Sequence, residues 1–240
     1  MRLFEIEDTN LLEKYKDEVN FALDKYNQGI VIYRGKNTCF QRINYIDPTS
    51  RITNRKSINT YNYYTLWIDN DPDWSEFPKR SRSAICSTNK FTAEFFGNPM
   101  IVIPLIDCKI GVCPNHDLWY SFGQILTLKD FNLWLFTRFN KNWPDDDNKD
   151  LTYSELIRKL KEVKYEPYNV SLFNTLLAKY HDAENMMHEV LNPIDNGFTT
   201  TTWNQFNIKG DREVWLSAPY LLIVPSVFIE LAKERKNAIS

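Results

Sequence analysis

The apolar positions between residues 9 and 27 fall at three- and four-residue steps: Leu11, Leu12, Tyr15, Val19, Ala22, Leu23 and Tyr26. That spacing predicts an amphipathic helix, capped by Asp8 or Thr9 and stopped by Gly29. Ile30–Tyr33 then reads as a short buried strand that delivers Arg34 and Gly35 at its end. Residues 36–80 are polar, with one aromatic cluster at Tyr61, Tyr63, Tyr64 and Trp67, and predict long irregular connections carrying short elements. Ser83–Thr88 predicts a second strand ending in hydroxyls, and Lys90–Phe96 a short helix stopped at Gly97-Asn98-Pro99. Two more strands are expected at Met100–Leu105 and Lys109–Val112. From 127 to 191 the period turns helical, over 128–139, 152–163 and 171–190, with the acidic stretch Trp143–Asp150 between the first two. A polar loop over 194–212 precedes closing strands at Glu213–Leu216 and Tyr220–Val224, and a last helix at Val227–Arg235. The order predicts an α+β fold: one domain over 1–240 with a mostly helical insertion over 115–192.

Composition narrows the picture without naming a function. The 240 residues are 43% hydrophobic and 25% charged, ordinary globular usage that excludes a mostly disordered chain. A net charge of −2 argues against a polybasic membrane or nucleic-acid binder while leaving room for a local basic patch. The longest apolar run, Pro99–Ile106, is far short of the ~20 residues of a membrane helix, so no membrane partner is expected. The opening residues MRLFEIEDTN carry two glutamates and an aspartate among scattered apolar residues and do not read as a secretory signal. The expected address is the cytoplasm, the host's if the chain is phage-encoded. Cys39, Cys86, Cys108 and Cys113 are too few for a disulfide scaffold, and Cys108, Cys113 and His116 fit no common zinc spacing. Buried free thiols, and no metal, are expected.

Three fragments stand out because each ends or begins a strand with polar groups: Tyr33-Arg34-Gly35, Ser87-Thr88-Asn89 and Asp211-Arg212-Glu213. Singly they are a turn, a helix cap and a strand entry. Taken in order, with IVIYRG, ICSTN and REVWLSAP around them, they resemble the Arg–Ser–Glu class of mono-ADP-ribosyltransferases, a family widespread in bacterial toxins and phages. The resemblance covers some forty residues. It implies a split mixed β-sheet core with flanking helices, NAD as substrate, and a macromolecular acceptor, protein or RNA/DNA.

It also implies roles. Arg34 anchors the dinucleotide, since a guanidinium grips phosphate oxygens in a bidentate fork. Glu213 stabilises the oxocarbenium-like ribose as nicotinamide leaves, much as in glycoside hydrolysis. Ser87 orients Glu213, Thr88 lines the nicotinamide side, Tyr33 and Asn89 join the NAD-binding set, Asn89 keeping a hydrogen bond, and Gly35 admits a close approach. Two departures bear on the acceptor and the strand: Asn89 replaces a serine, and Asp211 stands where relatives carry Glu or Gln. Asp211 is the candidate base toward the acceptor.

Other residues carry alternatives. Tyr64 and Trp67 are read as core side chains or as stacking surfaces for nicotinamide or adenine. Arg51–Lys56 and Pro78–Arg82 are basic stretches among aromatics, suited to phosphate contact and base stacking or to solvated loops. His181 and His188, seven apart on a predicted helix, match no metal motif and read as surface or core histidines. P-loop, Rossmann and nucleophile-elbow signatures are missing from the sequence. The competing functions are a non-catalytic nucleic-acid- or protein-binding protein, such as a virion component, and an NAD glycohydrolase using water as acceptor.

Overall fold

The computed structural model describes residues 3–37, 41–50, 62–122, 152–162 and 183–239. Two helices open the chain, α1 (Leu3–Lys14) and α2 (Lys16–Asn27), where one was expected from residue 9. The break falls at Tyr15, whose backbone (φ −117°, ψ 35°) leaves the helical region. Val19, Ala22 and Leu23 bury the inner stripe of α2 as the spacing predicts. The helix ends on Gly29 at φ +77°, with Ile30 N–H still bonded to Lys25 C=O. That closing turn delays the first strand, β1, to Tyr33–Lys36, three residues later than the apolar run suggested.

The next elements are β2 (Ile43–Ile46), α3 (Asn62–Asn70), β3 (Ala84–Ser87) and α4 (Lys90–Glu94). They are followed by β4 (Asn98–Pro104), β5 (Lys109–Val112) and α5 (Leu118–Ser121). Asn98 and Pro99, expected as a stop, belong to β4, where they pair with Lys36 and Gly35. The described part of the 36–80 region carries short elements as expected, β2 and α3, with the aromatics Tyr63, Tyr64 and Trp67 on α3. Within 115–192 the described helices are α5, α6 (Tyr153–Glu162) and α7 (Ala183–Val190). The helix expected over 128–139, and most of the one expected over 171–190, lie outside the described residues. The chain closes with β6 (Thr199–Thr202), β7 (Glu213–Leu216), β8 (Tyr220–Ile223) and α8 (Pro225–Ile239). No described helix is long and apolar enough to cross a membrane.

The eight strands form one sheet in the order β2-β8-β4-β1-β3-β7-β5-β6. The fold class is α+β as expected, but the described pairings are all antiparallel, where the resemblance implied a mixed sheet. Within the sheet, β1 and β3 meet through a single residue pair, Tyr33 opposite Ser87. Beyond that pair β1 continues along β4 alone, and α4 packs against both. Gly35 makes this possible: a Cβ there would run into the Ala93 carbonyl and come within 2.7 Å of the Phe96 backbone.

All four residues of β7 are buried, so this strand is covered on both faces. Trp215 joins an aromatic core with Tyr64, Trp67, Trp74 and Phe198, whereas Val214 and Leu216 join an aliphatic core with Val102, Leu222 and Ile223. The alternation of a pleated strand separates the two cores. Described helices of the 115–192 block serve the aromatic one, through Leu156 and Leu160 of α6 and Met186 and Met187 of α7.

Gly111 lies opposite Trp215 in the ladder, and a Cβ at Gly111 would clash with the Trp215 indole. Gly111→Ala therefore overpacks the site and is expected to cost about 1–3 kcal/mol, lowering the melting temperature by several degrees. An unchanged thermal melt would mean that Trp215 does not lie across β5.

Candidate functional site

The three polar fragments come together at the centre of the sheet. Ser87 of β3 is paired with Tyr33 on one side and with Glu213 of β7 on the other. Arg34 follows Tyr33 on β1, so the arginine, serine and glutamate sit on three adjacent strands.

Thr88 ties the second fragment to the third. Its N–H bonds to Arg212 C=O at 3.0 Å, its hydroxyl donates to Gly210 C=O at 2.6 Å, and that hydroxyl accepts Arg212 N–H at 2.9 Å. Gly210, at φ +90°, supplies the turn that brings its carbonyl to the hydroxyl. Asn89 caps α4 by accepting Phe91 N–H at 2.9 Å, and Ser87 Oγ accepts Asn89 N–H at 2.9 Å. Asp211 is exposed and accepts the Thr92 hydroxyl at 2.9 Å, joining β7's approach to α4. Arg34 Nη1 donates to the Tyr220 hydroxyl at 3.1 Å. Tyr33 is half-buried, and burial, with a smaller effect from Tyr26, raises its pKa. Tyr64 is fully buried against Tyr63 and Trp119, a core position with no face open to a ligand.

The decisive partner of Glu213 is Arg80. Its Nη1 lies 2.6 Å from Glu213 Oε1, with the two side chains only 9% and 11% exposed. Leu118 N–H, in the first turn of α5, donates to Oε2 at 3.3 Å, and Cys113 Sγ lies 3.9 Å from Oε1. The orientation of Glu213 thus comes from Arg80 and α5. Arg80 is itself held from several directions. Asp69 Oδ1 on α3 accepts its N–H at 2.6 Å, and its guanidinium lies 5.7 Å from the centre of the Trp215 ring. The Trp215 indole N–H donates to Pro78 C=O at 2.8 Å and anchors the same segment.

Burial works against the charge on Arg80, but Glu213, aided by Asp117, outweighs it and holds the guanidinium above its ordinary pKa. Burial, then the Glu213 charge, pushes the Cys113 thiol well up, so it is a protonated core thiol. The basic stretch 78–82 therefore contributes a buried counter-ion rather than only a solvated surface. The stretch 51–56 lies outside the described residues. An arginine two residues into a polar loop had no periodicity to mark it, and the nearest signal was its position just ahead of the Ser-Thr strand.

No protein-family model, curated protein or solved structure matches this chain.

Removing one member of a buried pair strands the other's charge, at a cost of about 3–5 kcal/mol, whereas replacing both is near neutral. Arg80→Met and Glu213→Gln are each expected to lower the melting temperature by roughly 10 °C, and the double variant to recover most of that loss. Single variants that melt like the parent would show the pair to be solvated.

Proposed function

We propose that the chain is an NAD-dependent mono-ADP-ribosyltransferase that passes ADP-ribose to a macromolecular acceptor and releases nicotinamide. The observation that supports this reading is that Ser87 pairs with Tyr33 on one side and with Glu213 on the other, which sets β1, β3 and β7 side by side with Arg34 one residue beyond the Tyr33–Ser87 pair, on the Tyr220 face of the sheet. Under it, Arg34 grips the diphosphate with a guanidinium that has five donors and spends one on Tyr220. Glu213 faces the ribose as the C–N bond breaks and its electron pair leaves with nicotinamide, neutralising the ring's positive charge. The acceptor nucleophile then bonds to the ribose carbon, and Asp211, exposed at the entry to β7, takes its proton. Arg80 holds the Glu213 carboxylate at 2.6 Å in the resting protein, and the ribose cation competes with it for the same group.

A second reading has its own support. Phe91, Phe95 and Phe96, on and just beyond α4, are 72%, 86% and 57% exposed, and Glu213 is committed to a buried ion pair. A binding protein that performs no chemistry would carry both features.

Nicotinamide release from NAD, with and without cell extract, tests the proposal. The purified protein is expected to release it, and the Arg80→Met/Glu213→Gln variant, which keeps the fold, to lose roughly 100-fold or more, the scale of one lost transition-state contact. Labelled extract protein or RNA would mean transfer, and free ADP-ribose a glycohydrolase. A folded protein that neither releases nicotinamide nor binds NAD would overturn the enzymatic reading in favour of the second.

A further inference from the structure

A second polar cluster shares no residue with the Arg80–Glu213 pair and does not depend on the NAD reading. Asp71 follows α3 and caps the 3-10 turn Pro72–Trp74, its Oδ1 accepting Asp73 N–H at 3.0 Å. Its side chain is 1% exposed. The other carboxylate oxygen, Oδ2, is sealed from solvent and accepts no hydrogen bond. It lies 3.0 Å from His188 Nδ1 on α7, yet the ring nitrogen does not meet it along a hydrogen-bonding direction. Asp73 supplies a third group, so that one ligand atom from each of Asp71, Asp73 and His188 lies within 4.8 Å of the others.

The neighbours hold these side chains in place. Asn192 Nδ2 donates to Asp73 Oδ2 at 3.2 Å, and the Trp67 ring meets the His188 imidazole edge-on at 4.7 Å. The Tyr153 hydroxyl also approaches the Asp71 carboxylate. Partners of this kind fix the rotamers of metal ligands.

A simple imidazolium–carboxylate pair would aim the ring N–H at the oxygen. Here the two atoms stand close without doing so, and a buried carboxylate oxygen with no donor is costly. A separation of 3.0 Å is that of adjacent ligands on an octahedral ion with bonds of about 2.1 Å. We propose that Asp71, Asp73 and His188 bind a divalent first-row transition-metal ion of the Mn2+ or Zn2+ class. One imidazole and two carboxylates suit such an ion, whereas Ca2+ favours an all-oxygen shell. Water completes the shell on the side where Asp73 is exposed. The ion clips the turn after α3 to helix α7, elements far apart in the chain.

The test uses the full-length chain stripped of metal with a chelator and titrated with Mn2+, which disfavours thiolates and so bypasses the cysteines. Calorimetry is expected to show one saturable site, with a melting temperature that rises with Mn2+ and with Zn2+. Asp73→Asn and His188→Gln, both at positions open to solvent and therefore compatible with folding, are each expected to weaken binding about tenfold or more. Ca2+ is expected to bind more weakly than Mn2+. Absence of saturable binding to the parent chain, or binding unchanged in both variants, would overturn the proposal and leave Asp71 and His188 as a structural ion pair.

Discussion

A carboxylate at the head of a strand buried on both faces demands a counter-charge, and Arg80 provides it at 2.6 Å from Glu213. Much of the surrounding structure serves that contact. Asp69 pins the Arg80 backbone, Trp215 covers the guanidinium, and the first turn of α5 presents Leu118 N–H to the second carboxylate oxygen. Helix α3, the turn ahead of β3, helix α5 and strand β7 are thereby fixed relative to one another by a single charge pair. In a low-dielectric setting such a pair adds little net stability over an apolar replacement but strongly penalises any arrangement that separates it. Its effect is to select one packing of these four elements.

The sheet adds a second constraint. Among the described residues its halves, β2-β8-β4-β1 and β3-β7-β5-β6, pair only at Tyr33–Ser87. Backbone groups that leave the ladder at such a seam must find partners elsewhere. Thr88 and Asn89 supply them for the loop before β7 and for the first turn of α4. Helix α4 fits against β1 because position 35 has no side chain. The same short region therefore concentrates hydroxyls, an arginine and a glutamate, and this concentration is what makes it the candidate site.

The aromatic core links this region to the Asp71–Asp73–His188 cluster. Within that core Trp215 covers Arg80 and Trp67 meets His188, with Trp74, next to Asp73, donating its indole N–H to Leu191 C=O at 3.0 Å. Large rigid rings with few rotamers carry position across the core. A metal ion clipping the turn at Asp71 to α7 would tighten the wall against which Arg80 and Glu213 are set.

Much of the architecture was legible in the sequence. The 3.6-residue stripe of α2 and the apolar runs of β4, β5, β7 and β8 announce themselves, because periodicity and burial are local properties of a segment. The candidate fragments around Arg34, Ser87 and Glu213 were legible as well, being polar groups at the ends of such runs. Boundaries were read less well: Tyr15 breaks a helix whose apolar stripe runs through it, and β6 hides in a row of four threonines because pairing with β5, not hydrophobicity, makes it a strand. Partnerships were not readable at all. Arg80 sits in a basic, polar stretch and His188 on an ordinary helix, and neither has a neighbour in sequence that reveals its role. By itself the sequence determined the elements and the polar fragments that end them. Only the tertiary structure decided that Glu213 is met by Arg80 and Asp71 by His188, since charges and ligands distant in the chain are matched by how helices pack on a sheet, and no local pattern encodes that match.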